Sequence, residues 1–233
     1  MKEKVIGILG GQGPEATLDL YRRIIKNTPA HTDQEHFRTI IDCNPKGPNP
    51  NNAITKGEPD PTLTLCETAR NLEKAGVDFI VIPCNTVHIF LDAIQASVSI
   101  PIYSIVDETV AALLAQLPQV RQVGLLASPA VVATGLYAKK LGVEGVSTTT
   151  PYEDGMQLVH DVIFAVKAGD KGPEVKAKLI QVANDLISRG AQALILGCTE
   201  LPLVLSQGDL AVPAIDTLEV LALAAVREAK AKE

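Results

Sequence analysis

The sequence predicts an α/β protein of two similar lobes, related by pseudo-two-fold symmetry, with an active site in the cleft between them. Each lobe is expected to be a parallel sheet flanked by helices. Three observations carry this reading. Short apolar runs of strand length alternate with longer segments of helical periodicity along the whole chain, the pattern of parallel sheets covered on both faces. The order of elements then repeats: Val5-Ile6-Gly7-Ile8-Leu9 is answered by Gln122-Val123-Gly124-Leu125-Leu126, and Ile100-Pro101-Ile102 by Val212-Pro213-Ala214. Finally, the strand opened by Gly76 returns as the strand opened by Gly190, and in both a cysteine, Cys84 or Cys198, stands eight places after the glycine.

The repeat sets the expected boundaries. Residues 1–105 form the first lobe and 106–215 the second, while a terminal helix over 216–233 packs back on the first. In chain order, Val5 to Leu9 is a buried strand, and Gly10 to Pro14 a tight turn. A helix follows from Glu15 to Asn27, with Leu18, Tyr21, Ile24 and Ile25 at helical spacing. Pro14 stands near the helix start, where its missing N–H does little harm. Phe37 to Cys43 is the second strand. Asn44 to Pro61, rich in Pro, Asn and Gly, reads as an extended loop, and a loop of that length in a compact domain is often functional. Helix at Thr62–Lys74, strand at Val77–Pro83, helix at Val87–Ala96 and strand at Pro101–Ile105 complete the first half. The second half has strands at 123–126, 193–196 and 212–215. Its helices are expected at 130–140, 157–167 and 175–189, with the terminal helix from Thr217.

Composition narrows the function classes. Of 233 residues, 46% are hydrophobic and 21% charged, the balance of an ordinary globular protein. Trp is absent, the net charge is −6 and no Lys/Arg cluster stands out, which argues against nucleic acid and anionic membrane as partners. No apolar run approaches the roughly 18 residues of a membrane span. The apolar stretch within Met1–Gly11 is too short, and is broken by Gly7, to read as a signal peptide. The four cysteines are widely spaced with no C-x-x-C, so the expected setting is the cytoplasm with reduced thiols.

Ligands of open α/β sheets bind beyond the carboxyl ends of the strands. Cys84 and Cys198 both fall there, and the helix expected after Cys84 would aim amide N–H groups at an anion. Two matched thiols suit proton transfer at a carbon acid. A thiolate removes a proton, and the other thiol returns one to the opposite face, as racemisation requires. An ordinary thiol has a pKa near 8.5 and each unit of mismatch costs about 1.4 kcal/mol, so the site must stabilise the carbanion.

Three segments resemble the signatures of the aspartate/glutamate racemase family, most closely the cofactor-independent aspartate racemases. They are Gly10-Gly11-Gln12-Gly13-Pro14-Glu15-Ala16-Thr17, Pro83-Cys84-Asn85-Thr86-Val87-His88 and Gly197-Cys198-Thr199-Glu200-Leu201. The resemblance spans essentially the whole chain. It implies a homodimer that inverts L- and D-aspartate at Cα without a cofactor, using Cys84 and Cys198 as the acid/base pair. It further implies that Asn85, Thr86 and Thr199 hold the substrate α-carboxylate, with Glu200 near Cys198. Gln12 and Ser128 would line the pocket from equivalent turns, and Lys167 would face the side-chain carboxylate. One departure stands out. Aspartate racemases carry an arginine in the Pro/Asn-rich loop, whereas this chain has Pro48-Asn49-Pro50-Asn51-Asn52; Lys46, Asn51 or Asn52 would have to substitute. Glutamate, another amino acid, a hydantoin or maleate are the alternative substrates within the superfamily.

Two readings from other classes compete. Gly11-Gln12-Gly13-Pro14-Glu15-Ala16 fits G-x-G-x-x-A between a strand and a helix, the pattern of a dinucleotide-binding oxidoreductase. The acidic residue expected about 20 places on is displaced, however, since Asp42 lies nearly 30 past Gly13. A catalytically silent amino-acid-binding module is the other, against which the intact cysteine pair speaks. No cofactor is expected. Cys84 and His88, four apart, could begin a metal site, but no second pair completes one; His88 is expected to support the Cys84 turn. Cys43 and Cys66 lack counterparts and read as structural.

Overall fold

The computed structural model describes residues 3–230. The first half of the chain builds one four-stranded parallel sheet in the order β2-β1-β3-β4. Its elements are β1 (Ile6–Gly10), α1 (Pro14–Asn27), β2 (Thr39–Cys43), α2 (Pro50–Lys56), α3 (Thr62–Lys74), β3 (Phe79–Val81), α4 (Leu91–Gln95) and β4 (Ile102–Tyr103). Helix α5 (Ile105–Gln116) follows. The second half builds another four-stranded parallel sheet, in the order β6-β5-β7-β8. It comprises β5 (Gln122–Ala127), α6 (Pro129–Ala133), α7 (Leu136–Val143), β6 (Ser147–Thr149), α8 (Glu153–Lys167), α9 (Pro173–Ser188), β7 (Ala193–Gly197) and β8 (Ala214–Asp216). Helix α10 (Thr217–Lys230) closes the described chain; residues 1–2 of the expected first lobe and 231–233 of the expected terminal helix lie outside it.

The chain divides into two compact units: the part up to Glu108 together with everything from Leu218 onward, and Thr109–Thr217. Each unit has its own core. In the first, Leu9, Ile80 and Ile82 of the sheet region meet Leu65, Ala69 and Leu72 of α3. In the second, Leu126, Leu194 and Leu196 meet Val159, Val162 and Val166 of α8 and Leu179 and Leu186 of α9. Fully burying one such Leu, Ile or Val contributes about 1.5–3 kcal/mol, so these clusters hold each sheet to its helices.

The glycines that open the repeated strands have a physical reason. Gly76 and Gly190 adopt φ of +84° and +95° directly after α3 and α9. The residue after each reaches back to the helix: Val77 N–H donates to Leu72 C=O at 3.5 Å, and Ala191 N–H to Leu186 C=O at 3.1 Å. This is a glycine-terminated helix end, which only a residue without Cβ enters at no steric cost. The chain then turns directly into the cysteine-bearing strand.

Helix α10 joins the first unit through polar contacts around a buried apolar face that includes Leu221, Ala222 and Ala225. Arg23 of α1 pairs with Glu219 at 3.1 Å, the Tyr103 hydroxyl donates to Glu228 at 2.6 Å, and Arg227 grips Glu108 with both terminal nitrogens at 3.1 and 2.8 Å.

Several elements differ from expectation. The 44–61 loop contains α2, nucleated because the Asn49 side-chain oxygen Oδ1 accepts from the backbone N–H of Asn51 at 2.9 Å and of Asn52 at 3.2 Å. Pro50, read as a loop residue, occupies the first helical turn, where proline is tolerated. The expected helix at 87–96 is a 3₁₀ turn, Thr86–Phe90, running into the five-residue α4. The helix expected at 130–140 divides into α6 and α7 at Gly135, whose φ is +65°. Helix α5 and strand β6 were not foreseen.

Candidate active site

In the strand order 2-1-3-4 the chain crosses away from β1 on opposite sides, so the crevice at the carboxyl ends of β1 and β3 is the natural ligand position. The second unit repeats this with β5 and β7. Cys84 lies three residues beyond β3, and Cys198 directly follows β7. Gln12 sits in the turn after β1, and Ser128 in the turn after β5. The switch point of each sheet is thus furnished with one cysteine and one polar turn residue. A cavity of about 310 Å³ bordered by Tyr21, Ile24, Phe37 and Thr39 lies at the other end of β2 and includes none of these residues.

Both cysteines are half-buried, while the polar residues following them are buried: Asn85 and Thr86 after Cys84, Thr199 and Glu200 after Cys198. The Cys84 turn is braced by His88. Its Nδ1 lies 2.8 Å from the Cys84 carbonyl oxygen, and its Nε2 accepts from the Ile105 N–H at 3.1 Å. An imidazole that accepts on Nε2 carries its proton on Nδ1, so the ring donates to Cys84 and is neutral. Burial lowers the His88 pKa to about 4, against the smaller opposing effects of the Cys84 carbonyl and Asp107. Because both ring nitrogens are engaged, His88 is a brace rather than a metal ligand. Among the described residues no group of three or more His, Cys, Asp and Glu could hold a metal ion.

The Cys198 turn is organised by charge. The thiol donates to Glu200 Oε2 at 3.0 Å, and the Thr199 hydroxyl donates to the same oxygen at 3.3 Å. The other carboxylate oxygen pairs with Lys167 Nζ at 3.6 Å, reaching in from the end of α8. Glu200 is only 5% exposed, whereas the Lys167 side chain is 42% exposed. Burial, and then the Glu200 charge, push the Cys198 thiol well above its ordinary value; Lys167 pulls the other way. Cys198 therefore rests as a thiol at neutral pH.

The glycine-rich turn after β1 serves packing within the protein. Gly11 has φ +100°, and a Cβ there would stand 2.3 Å from the Asn44 backbone. Its N–H donates to the Thr17 hydroxyl at 3.1 Å instead of facing outward. The dinucleotide pattern thus lacks one of the amide donors that a pyrophosphate would need. In the loop after β2, the Asn52 amide donates to both oxygens of Glu58 at 3.1 Å, which removes it as a stand-in for an arginine.

The sequence pattern located the cysteines and the polar residues that follow them. It missed the pairing of Lys167 with Glu200, for which the only signal was that both had been singled out separately. It also missed the Ile105 N–H that fixes the His88 tautomer, since α5 itself was unforeseen.

The comparisons agree with this architecture. The Asp/Glu/Hydantoin racemase family model matches residues 9–225, and the chain belongs to that family. The broad specificity amino-acid racemase RacX of Bacillus subtilis (strain 168) is 30% identical over 227 residues, covering 95% of this chain and 96% of that protein. Among solved structures, Picrophilus torridus aspartate racemase superposes with a TM-score of 0.87 at 29% identity, covering 97% of this chain and 94% of the other. An aspartate racemase homologue from Pyrococcus horikoshii OT3 gives 0.79 at 27% identity, covering 98% and 100%.

Proposed function

We propose that the protein is a cofactor-independent amino-acid racemase that interconverts L- and D-aspartate, with Cys84 and Cys198 as its acid/base pair. The observation that carries this reading is the matched placement of a half-buried cysteine at the switch point of each sheet, followed in both by buried polar side chains. In the forward step one thiolate takes the Cα proton, so that an S–H bond forms as the Cα–H bond breaks. The other thiol then gives its proton to the opposite face of the carbanion. After one inversion the proton has moved from one sulfur to the other, which leaves the enzyme set for the reverse enantiomer.

Asn85, Thr86 and Thr199 are assigned to the substrate α-carboxylate, and Gln12 and Ser128 to the walls of the pocket. Lys167 is assigned to the distal carboxylate, a role that suits a half-exposed ammonium at the end of α8. Glu200 is placed beside Cys198. The reduced state of Cys43, Cys66, Cys84 and Cys198 suits a cytoplasmic protein, and a homodimer is assigned from the family resemblance.

A second reading, a racemase of wider amino-acid range, is favoured by the loop after β2. It carries no arginine, and Asn52 is held by Glu58; a lone amide does not replace a bidentate guanidinium. A relative with broad specificity in its name fits the same reading. The test is chiral chromatography of aspartate, glutamate and neutral amino acids after incubation with the enzyme, with pyridoxal phosphate excluded. Inversion of aspartate is expected. Loss of either thiol, Cys84→Ala or Cys198→Ala, is expected to lower it by about 10²–10⁴-fold, the usual contribution of a positioned acid or base. Turnover of neutral amino acids at rates comparable to aspartate would favour the second reading.

A further inference from the structure

The two thiols differ in their surroundings, and the difference lies two residues after each cysteine. Beyond Cys198 that position is Glu200, a buried carboxylate; beyond Cys84 it is Thr86, which carries no charge. Glu200 Oε2 accepts the Cys198 thiol proton at 3.0 Å and the Thr199 hydroxyl proton at 3.3 Å, while Oε1 meets Lys167 Nζ at 3.6 Å. A carboxylate in this position has little solvent to compete for it, and three neighbouring groups orient it. The other titratable groups on α8 are Glu153, Asp154, His160 and Asp161, and on β8 Asp216 at its end.

We infer that Glu200 is a positioning residue that keeps the transferable proton on Cys198, and that Lys167, by sharing the same carboxylate, sets how firmly the proton is held. The inference rests on the racemase reading and gives Glu200, so far only a neighbour of Cys198, the role of proton control. When Cys198 acts as the acid, its S–H bond breaks as Cα–H forms, and the new thiolate stands beside the Glu200 carboxylate. Two adjacent negative charges make that thiolate a stronger base than an isolated one. It therefore readily takes the Cα proton of the opposite enantiomer, re-forming S–H. The cost is that few molecules carry the Cys198 thiolate at neutral pH. The two directions should then have unlike pH profiles: the one that begins with Cys198 as base rises to higher pH than the one that begins with Cys198 as acid. Because the equilibrium constant of racemisation is unity, kcat/KM must match in the two directions. The asymmetry belongs in kcat and KM taken separately.

Alkylation of Cys198 by iodoacetamide across pH, read by peptide mass spectrometry in a Cys84→Ser background, tests this without relying on turnover. Half-maximal reactivity of the parent is expected above pH 9. Glu200→Gln should move it to lower pH by at least one unit, Lys167→Met should move it higher, and Glu200→Asp should restore most of the parental profile. Opposite shifts from two neutralising substitutions are not the outcome of simple loosening, and matched circular dichroism of the variants checks that the fold persists. Glu200→Gln with no downward shift, or Lys167→Met with a downward one, would overturn the inference. If the shifts occur but no amino acid is inverted, proton control at Cys198 stands and the racemase reading fails.

Discussion

His88 shows how one residue serves both the fold and the site. Its neutral ring ties the Cys84 carbonyl to the first amide of α5, so protonating Nε2 would break an acceptor contact inside the protein. The sign follows from linkage. The folded pKa, about 4, lies below the ordinary 6.5, so the unfolded chain binds a proton first as pH falls. The stability present above pH 6.5 is lost progressively down to about pH 4, to the extent of about 3 kcal/mol. Urea unfolding at pH 7.5 and 4.5 measures this loss, and in His88→Leu the same interval should show a correspondingly smaller one. An unchanged pH dependence in that variant would remove His88 as the cause. At this scale the sequence was informative about identity and silent about pairing. His88 and Glu200 could be singled out from motifs. Their partners, Ile105 and Lys167, stand well away in the chain and meet them only because α5 begins and α8 ends where they do.

At the scale of elements, the repeated glycine is the part of the pattern with the clearest physical origin. Gly76 and Gly190 both end a helix at positive φ, which an L side chain enters at a cost of about 1–2 kcal/mol. Their surroundings differ. A Cβ at Gly76 meets nothing within 4 Å, whereas one at Gly190 stands 3.2 Å from Gln122 Oε1. Gly190→Ala should therefore lower stability more than Gly76→Ala in thermal or urea unfolding, and equal losses would mean that backbone conformation alone decides the effect. Elements with strong periodicity, such as α1, α3, α8 and α9, were legible. Those missed had other causes. Helix α5 is apolar on most faces, with Ile105, Val106, Val110 and Leu113 all buried, so it lacks a polar stripe to mark its period. Strand β6 is three residues, Ser147–Thr149, on a sheet edge with no apolar run. Helix α2 was concealed by a sequence whose Asn and Pro, read as loop formers, are its cap and its first turn.

At the scale of the molecule, the internal repeat made the architecture legible. Each unit has the same strand order and the same edge contacts: Ile80 N–H donates to Pro101 C=O at 2.9 Å, and Leu194 N–H to Pro213 C=O at 2.8 Å. The repeat also explains why the cysteines were found and the substrate was not. Strand ends recur with the fold, whereas the loop after β2 and the end of α8, which bear on the proposed substrate, are not duplicated by the repeat. The Asn85-Thr86 and Thr199-Glu200 turns show where the repeat breaks, since equivalent strand ends carry a neutral Thr86 in one unit and a buried Glu200 in the other.

The central claim, proton transfer through two different thiols, is tested most directly by starting from L-aspartate in deuterated water and sampling before equilibrium. With two bases, the D-aspartate formed carries deuterium at Cα while the remaining L-aspartate stays largely protiated, and formation of deuterated D-aspartate falls in both Cys84→Ala and Cys198→Ala. Early deuterium in the recovered L-aspartate equal to that in the product, or inversion at the parental rate in either variant, would contradict it.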